Sequence, residues 1–454
     1  KFRGKLRKLS KKRARISFIE HHIAHQASVY FSSPFTGSLI LSMDARGEYC
    51  SMMVSLGRGN KIEVLKRREM PHSLGMLYAA VTDYLGFKFG TDEYKVMGLA
   101  SYGEPRFIDD FRKLAFYDAK NLFSLDMSFF TFQKGYGFLS DKFYSIFGRP
   151  RNKKEEIKDR HADIAASLQL LLEEIVMKIL TDWKARTKQK NLCLSGGVAL
   201  NCSMNGKIFR SGLFEHIFVF PASGDDGGAF GAAAYTYYGI LGFPRKAALT
   251  SALMGPSFND KEILEMLEIS KAKYTYVDSP EKEAARLIAE GNIVGWYQGK
   301  MEFGPRALGS RSILADPTRP DMKGLINKYV KHREEFRPFA PSVKKEAQEK
   351  YFNINFDSPF MTFVVEVKDS YKNILPAITH VDQTARVHTV ERQSDPLYWG
   401  LLDEFEKIKK VAVVLNTSFN IMGEPIVNTP QEALRCFFAT GMDALVMGHY
   451  LIKK

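Results

Sequence analysis

The sequence predicts a mixed α/β protein that folds as more than one domain. Its 454 residues, 45% of them apolar, are enough for two or three hydrophobic cores. Alternating apolar residues predict strands between residues 38 and 67, and two strand–glycine–helix units follow at residues 191–209 and 216–239. Apolar residues at helical spacing predict a long helix from Lys153 to about Thr187. Strands and helices therefore alternate over much of the chain, as in α/β folds.

The beginning of the chain holds most of its excess positive charge. Lys1–Arg15 carries nine cations and no acid, so only +5 of the net charge of +14 belongs to the remainder (14 − 9). We interpret this segment as one face of an amphipathic helix. Nucleic-acid-binding domains carry a basic patch on the folded surface. An excess confined to one end does not indicate such a partner, and we expect none.

Composition also bears on the compartment. No run reaches the ~18 consecutive apolar residues that span a bilayer, and no secretory leader is visible. The cysteines are scattered and form no CxxC pair, which suits a reducing cytoplasm and argues against disulfides or a structural zinc site. The four cysteines are Cys50, Cys193, Cys202 and Cys436. We therefore expect a cytoplasmic protein with no membrane partner.

A pair of histidines opens the predicted fold. His21 and His25 stand four residues apart, so on a helix both imidazoles project from one face. Metal-ligating histidines can use this spacing, together with carboxylates from elsewhere. Asp44 is a candidate, because it stands at the turn between predicted strands at about 38–43 and 49–56. Histidines at this spacing are also common as core or capping residues, and Asp44 also fits an ordinary turn, so both interpretations stay open.

The next segments lead to two glycine loops. Residues 73–87 predict a helix, and residues 90–105 predict a buried functional loop because apolar and charged residues mix there without a period. The loops are Ser195-Gly196-Gly197 and Ser223 to Gly227, each between a strand and a helix. Such a loop offers free N–H groups to a phosphate, and Asp225 or Asp226 could hold a metal beside it. Glycine loops also serve as packing devices, but two in tandem favour a nucleotide site.

A cation-rich stretch between residues 296 and 343 predicts an anion pocket. Its cations alternate with apolar residues such as Phe303 and Phe339, which is unlike a solvated basic face, the alternative interpretation. Arginine suits forked binding of phosphate or carboxylate. The cations are Arg306, Arg311, Arg319, Lys328, Lys331, Arg333 and Arg337. We expect the pocket to take a phosphorylated or carboxylated small molecule.

Motifs along nearly the whole chain resemble a known family. They are EHHIAHQASVYFSSPF, DARGE, EYKVMGLASYGEP, LSGGVALN, SGDDGGAFGAA, GKMEFGPRALGSRSILADP, VKHREEFRPFAPSV, HVDQTARVHTV, LNTSFN and GEPIVNTPQEA. In this order they resemble the O-carbamoyltransferases of the nodulation-protein and tobramycin carbamoyltransferase type. The resemblance implies an actin-like ATPase domain over residues 1–250, in the superfamily of sugar kinases, Hsp70 and actin. It implies a YrdC-like domain over residues 251–454.

The resemblance also implies site residues. A divalent metal, expected to be iron(II), would be held by His21, His25, Asp44 and Asp225, and the choice of Asp225 over Asp226 rests on the resemblance alone. ATP with Mg²⁺ would lie along Ser195, Gly196, Gly197, Asn201, Gly224 and Gly227. Carbamoyl phosphate and ATP in the second domain would contact Arg306, Lys331, Arg337, Arg386 and Ser418.

The implied activity is that of an ATP-dependent carbamoyltransferase. It would make carbamoyl-adenylate from carbamoyl phosphate and ATP, and then transfer the carbamoyl group to a hydroxyl of a glycoside-type small molecule. Two alternatives stay open, a tRNA threonylcarbamoyladenosine-type transferase and an inactive nucleotide-binding homologue. The sequence also leaves open whether the chain is a homodimer.

The chain departs from the family in two places. Family members carry about ninety residues before this chain begins, including the first strands of the actin-like sheet, whose absence would leave an unpaired edge. We therefore expect the first domain to be incomplete, and the chain as given to form the adenylate without transferring the carbamoyl group. The second departure is Gln383, where many relatives have glycine.

Overall fold

The computed structural model describes residues 16–132, 138–245 and 248–454. The basic segment Lys1–Arg15 lies outside the described residues. Two large sheets organise the rest, the first built from strands between residues 37 and 219 and the second from strands between residues 275 and 453. The prediction of a mixed α/β fold is confirmed.

The first sheet has five strands in the order β3–β2–β1–β6–β7, and a separate hairpin pairs β4 with β5. The strands of this half are β1 (Gly37–Met43), β2 (Cys50–Arg58), β3 (Lys61–Glu69), β4 (Ala115–Asp118), β5 (Leu122–Leu125), β6 (Asn191–Ser195) and β7 (His216–Val219). β1 and β2 form an antiparallel hairpin, whereas β6 runs parallel to both β1 and β7. Parallel strands end at one edge of a sheet. The segments that follow β1, β6 and β7 therefore meet there.

The helices of this half cover both faces of the first sheet. They are α1 (His21–Ser32), α2 (Leu74–Tyr84), α3 (Glu93–Ala100), α4 (Ile108–Leu114), α5 (Asp141–Phe147), α6 (Asp159–Thr187), α7 (Cys202–Arg210) and α8 (Gly228–Ala234). Alternate residues of β1 face opposite sides, as strand geometry requires. Leu41 joins the core that contains Leu172 of α6, and Ile40 joins the core that contains Val29 of α1.

Two sequence predictions need correction in this half. Residues 90–105 are not a loop throughout, because α3 buries Val96 and Leu99 in the core beneath α6. The long helix begins at Asp159 rather than Lys153. The guanidinium of Arg151, a residue before this helix, donates a hydrogen bond to the carbonyl of Leu85 at 2.6 Å. This contact holds the segment in front of the helix against the end of α2.

The second sheet has eight strands in the order β14–β11–β15–β10–β9–β16–β17–β8, and β12 pairs separately with β13. The strands are β8 (Thr275–Tyr276), β9 (Val294–Tyr297), β10 (Arg311–Ala315), β11 (Ala340–Lys344), β12 (Val364–Glu366), β13 (Thr384–Arg386), β14 (His388–Val390), β15 (Val413–Ser418), β16 (Ala444–Met447) and β17 (Tyr450–Lys453). The helices are α9 (Asp260–Ile269), α10 (Pro280–Ala289), α11 (Met322–Leu325), α12 (Gln348–Tyr351), α13 (Asp369–Lys372), α14 (Pro396–Lys409) and α15 (Pro430–Phe438). One core lies on each face of this sheet.

The two halves contact each other directly. Lys95 of α3 forms an ion pair with Glu334 at 3.1 Å, and Asn205 of α7 donates to the carbonyl of Thr362 at 2.9 Å. Within the described ranges, no helix is both long enough and apolar enough to cross a membrane.

Candidate metal and anion sites

Four acidic and imidazole side chains converge at the edge of the first sheet. The ligand atoms of His21, His25, Asp44 and Asp225 all lie within 4.8 Å of one another. His25 Nε2 is 2.9 Å from Asp44 Oδ2 and 3.0 Å from His21 Nε2. Both imidazoles are 3.5 Å from Asp225 Oδ1. Two imidazoles and two carboxylates at one point match the ligands of a divalent transition metal.

Local structure explains why these four side chains meet. The first turns of α1 place His21 and His25 on one face, and the N–H of His21 donates to the carboxylate of Glu48 at 3.1 Å. Asp44 directly follows β1, and Asp225 begins a short 3₁₀ turn after Gly224. The structure thus brings Asp225 to the histidines, while Asp226 stays outside the cluster of ligand atoms.

Burial varies across the cluster, and its charges stabilise one another. His25 is 1% exposed, whereas the Asp225 side chain is exposed. Among the described residues, no group hydrogen-bonds the buried Nδ1 of His25. Burial alone would lower the pKa of His25, but hydrogen bonds to Asp225 and Asp44 outweigh it and raise the pKa to about 9. Burial would raise the pKa of Asp44, but hydrogen bonds from His21 and His25 outweigh it and lower that pKa. The donor set therefore fits a cation that would replace the shared protons.

The first glycine loop packs against the same cluster. Gly196 has φ +84°, and a Cβ there would lie 2.1 Å from the carbonyl oxygen of Met43, so only glycine fits. The N–H of Gly197 donates to Asp44 Oδ2 at 3.2 Å. This loop therefore fixes the orientation of a candidate metal ligand.

The remaining predicted nucleotide residues already have protein contacts. Asn201 caps α7 by accepting from the N–H of Met204, and its amide pairs with Gln169 at 2.8 Å. Ser195 is the exception, because its buried hydroxyl has no hydrogen-bond partner among the described residues. In the second loop the N–H of Gly227 donates to the carbonyl of Gly224 at 3.0 Å. The nucleotide role of these residues stays a prediction.

A cavity of about 340 Å³ lies between the two halves. Arg306, Arg333, Arg337 and Arg386 line it from the second half, and we call it the arginine cavity. The first half contributes residues of α3 and the start of α7, and the lining residues from there are Tyr94, Met97, Gly98, Ser101, Tyr102, Cys202 and Ser203.

The guanidinium groups of the arginine cavity outnumber the acids that line it, which are Asp382 and Glu424. Among the described residues, Arg306, Arg333 and Arg386 form no ion pair, and Arg337 lies 3.7 Å from Glu334. Burial and the neighbouring Arg386 lower the pKa of Arg306 to about 9. Burial and Arg337 lower the pKa of Arg333 to about 9. Like charges in a partly buried space are costly unless an anion joins them.

Lys331 lies behind the cavity wall rather than in the lining. Its ammonium group donates to Asn420 Oδ1 at 2.8 Å, to the Asn420 carbonyl at 3.0 Å, and to the carbonyl of Ser418. Ser418 does line the cavity and donates to Asn420 Oδ1 at 2.8 Å. Lys331 therefore holds the turn that presents Ser418.

Three cations of the predicted anion pocket lie elsewhere, so that interpretation was too broad. Arg311 is fully buried in β10, where it donates to the carbonyl of Gln298 at 2.7 Å and stacks over the ring of Tyr297. Arg319 pairs with Asp321 at the surface, and Lys328 is exposed. Position along the sequence did not show which cations point inward.

The loop that carries Arg306 connects the two candidate sites. Glu302 Oε1 accepts hydrogen bonds from the N–H groups of Leu308, Ser310 and Arg311 at 2.8, 2.7 and 3.0 Å. Gly304 has φ +116°, and a Cβ there would lie 2.6 Å from the carbonyl oxygen of Pro221. The loop therefore packs closely against the segment that leads from β7 to Asp225. Sequence patterns gave no sign of these contacts.

Comparisons with known proteins also point to the carbamoyltransferases. The family profile described as "Carbamoyltransferase N-terminus" matches residues 3–234, and "Carbamoyltransferase C-terminus" matches residues 285–454. The uncharacterized protein sll1178 of Synechocystis is 41% identical, over 96% of this chain and 76% of its own. Nodulation protein NolO of Bradyrhizobium diazoefficiens is 40% identical, over 96% of this chain and 79% of its own.

Two further similarities are more limited. The 3'-hydroxymethylcephem-O-carbamoyltransferase of Amycolatopsis lactamdurans is 33% identical, over 57% of this chain and 48% of its own. The crystal structure of full-length HypF in the phosphate- and nucleotide-bound form aligns with 38% of this chain and 22% of its own, at a TM-score of 0.27 and 18% identity. That structural similarity is too low to support an argument.

Proposed function

The chain belongs to the carbamoyltransferase family and is a transferase, and from this premise we propose that it is an ATP-dependent O-carbamoyltransferase. It makes carbamoyl-adenylate from carbamoyl phosphate and ATP, and passes the carbamoyl group to a hydroxyl of a glycoside-type small molecule. One relative is named for O-carbamoylation of a cephem and another for nodulation, which supports a small-molecule acceptor.

The guanidinium groups of the arginine cavity carry this proposal. Carbamoyl phosphate and the ATP triphosphate both bring negative charge to Arg306, Arg333 and Arg386, which form no ion pair with any described residue, and to Arg337, which lies 3.7 Å from Glu334. Water cleaves carbamoyl phosphate to carbamate and phosphate. A carbamate oxygen then attacks the α-phosphorus of ATP, and the bond to the β-phosphate breaks to release pyrophosphate. Fixed cations stabilise the charge that develops on these phosphates, while Lys331 keeps Ser418 in place.

The His/Asp cluster serves the transfer step. His21, His25, Asp44 and Asp225 would hold a divalent metal, which we expect to be iron(II). When bound, such a metal supplies a Lewis acid for an acyl oxygen. The N–H of Gly197 keeps Asp44 Oδ2 aimed at the cluster. The acceptor hydroxyl attacks the carbamoyl carbon, and AMP leaves with the bonding electrons. We assign this step to an actin-like domain over residues 1–250 with ATP and Mg²⁺ along its glycine loops, and adenylate formation to a YrdC-like domain over residues 251–454.

The test is pyrophosphate release from ATP by the purified chain. We expect release with carbamoyl phosphate and none with threonine plus bicarbonate, together with a carbamoyl-adenylate mass in the quenched mixture. Arg306→Ala should lose most of this release, and Arg319→Ala is its matched control, since Arg319 lies near in sequence but pairs with Asp321 at the surface. Release driven only by threonine and bicarbonate would favour a threonylcarbamoyladenosine-type transferase. Release with neither substrate would favour an inactive homologue.

A further inference from the structure

A second cavity lies directly behind the arginine cavity. Its volume is about 300 Å³, room for about ten water molecules. One layer of chain separates the two spaces, because neighbouring residues line opposite cavities. Ala307 and Met361 line the arginine cavity, whereas Leu308 and Phe360 line the second one. The second cavity also lies at the seam between the halves, where small-molecule sites are common.

The charges of the second cavity are opposite to those of the first. Its acids are Asp357, Glu391 and Asp395, and its one cation is Lys345. Lys345 already pairs with Asp357 at 2.6 Å and with Glu391 at 3.0 Å. No guanidinium reaches this lining in the described part of the chain. An anion would therefore meet net negative charge, and an uncharged or cationic molecule would not.

One buried polar side chain in this cavity lacks a full set of partners. His388 is 5% exposed, and its Nδ1 is 2.9 Å from Ser342 Oγ. No described protein group hydrogen-bonds its Nε2, although the residue lines the cavity. Burial lowers the pKa of His388 to about 3, so the ring is neutral. A ring nitrogen that has no protein partner beside a cavity is available to hydrogen-bond a ligand or water.

Aromatic rings shape the rest of the space. The rings of Phe218 and Phe360 have centroids 6.1 Å apart and planes at 86°. Together with Phe363 and Leu249 they form a right-angled apolar corner. Such a corner suits the flat apolar face of a ring.

We propose that the second cavity binds a small ring compound, uncharged or bearing one ammonium group, that presents a hydroxyl or amino group to His388 Nε2. The site is distinct from the phosphate chemistry of the arginine cavity, since no arginine of the described ranges lines it. Its occupant touches the wall that the two cavities share.

The test compares glucose, glucosamine and glucuronate, which share one ring and differ in charge. Binding to the full chain is measured by saturation-transfer NMR in the Arg306→Ala background, so that glucuronate gains nothing from the arginine cavity. We expect glucosamine to bind several-fold more tightly than glucose, as about 1 kcal/mol of partly screened attraction gives. We expect no binding of glucuronate. Equal binding of the three probes, strongest binding of glucuronate, or no binding of glucosamine at about 10 mM would each overturn the proposal.

Two variants locate the probes. Thr250 is exposed and lines the cavity, so Thr250→Trp should fill its mouth and abolish binding while leaving the thermal melt unchanged. His388→Phe keeps an aromatic ring and removes both nitrogens, and it should weaken binding about fivefold, as expected for the loss of one hydrogen bond. Binding that survives Thr250→Trp would place the probes elsewhere and overturn the assignment. That result stands even if His388→Phe fails to fold.

Discussion

The His/Asp cluster and the arginine cavity differ in how their charges are balanced. In the cluster, imidazoles and carboxylates from one half of the molecule contact each other at 2.9 to 3.5 Å. In the arginine cavity, burial and, after it, repulsion between guanidinium groups lower the pKa values of Arg306 and Arg333. The cluster is internally balanced without a ligand, whereas the cavity is balanced only when an anion is present.

This difference predicts opposite responses to mutation. Removing a member of a balanced cluster leaves an unpaired buried group, which costs stability. Removing one of several like charges reduces their repulsion, so it should lower activity without lowering the free energy of unfolding, as is common at binding sites. The first two experiments below address the two sites, and the last two concern residues outside both.

The largest effect should follow from Arg306→Ala. Carbamoyl-phosphate-dependent pyrophosphate release should fall by about 10²- to 10³-fold, as expected for losing one preorganised charge contact. Arg306→Lys should recover part of the rate, since an ammonium lacks the planar fork. The free energy of unfolding, from urea titration, should be unchanged or higher, because one repelling charge is gone. A near-normal rate, or a large loss of stability, would mean that Arg306 is structural.

The next effect concerns metal. His25→Ala should weaken metal binding by more than about 100-fold, beyond the loss typical of residues that only support a ligand. Metal content is measured by elemental analysis after dialysis. Asp226→Asn is the matched control, because Asp226 neighbours Asp225 but stays outside the ligand cluster. Adenylate formation should persist in His25→Ala if the two sites work separately. Unchanged metal content in His25→Ala would rule out the assignment.

A smaller effect should appear as pH dependence at Asp395, a half-buried acid that forms no ion pair with any described residue. Burial raises its pKa to about 7, while its carboxylate caps α14 through the N–H of Tyr398. Between about pH 4 and pH 7 the folded state binds more protons than the unfolded state, so this group makes stability fall as pH rises. The shift corresponds to about 4 kcal/mol if fully realised, and we expect about half because the side chain is partly exposed.

Asp395→Asn keeps a capping oxygen and removes the charge. It should therefore stabilise the protein by about 2 kcal/mol at pH 8 and by almost nothing at pH 4. Urea titrations at both pH values measure the difference. A difference in stability between the variant and the wild type that is the same at both pH values would show that the Asp395 carboxylate carries no burial penalty.

The smallest effect concerns Gln383, whose φ is +66° in the turn before Arg386. The left-handed region costs a residue with a Cβ about 1 to 2 kcal/mol, and the added freedom of glycine in the unfolded chain offsets about half of that. Gln383→Gly should therefore raise the free energy of unfolding by less than about 1 kcal/mol. Gln383→Ala, which keeps the Cβ, serves as the control. Destabilisation by glycine would show that the glutamine side chain stabilises this turn.

The sequence predicted the His/Asp cluster better than the arginine cavity, and the reason lies in how each site is built. His21 and His25 were visible because helix geometry relates residues four apart, and Asp44 because it follows a strand. The fold class and the five strands of the first sheet followed from local patterns. Asp225 and Asp226 are equivalent by spacing, and only the resemblance separated them before the structure placed Asp225 beside the histidines.

The arginine cavity was less predictable because it depends on contacts between distant segments. Arg311 and Arg306 stand five residues apart in one cation-rich stretch, yet one donates to main-chain carbonyls in the core and the other faces the cavity. Arg333 lines the cavity and was given no individual role, since nothing in its local sequence separates it from Lys331. Lys331 instead supports the turn of Ser418 and Asn420. Inward or outward orientation is set by packing, which local patterns do not encode.

The carboxylate of Glu302 has a consequence for binding affinity. It accepts three main-chain hydrogen bonds and is 4% exposed, so the loop that carries Arg306 is folded around an internal anion before any substrate arrives. The conformational entropy of that loop is lost once, when the protein folds. An incoming phosphate then meets a preorganised arginine, and its binding energy is not consumed in ordering the chain. Glu302 thereby occupies three main-chain N–H groups of this loop at all times, and the guanidinium of Arg306 stays available to the substrate.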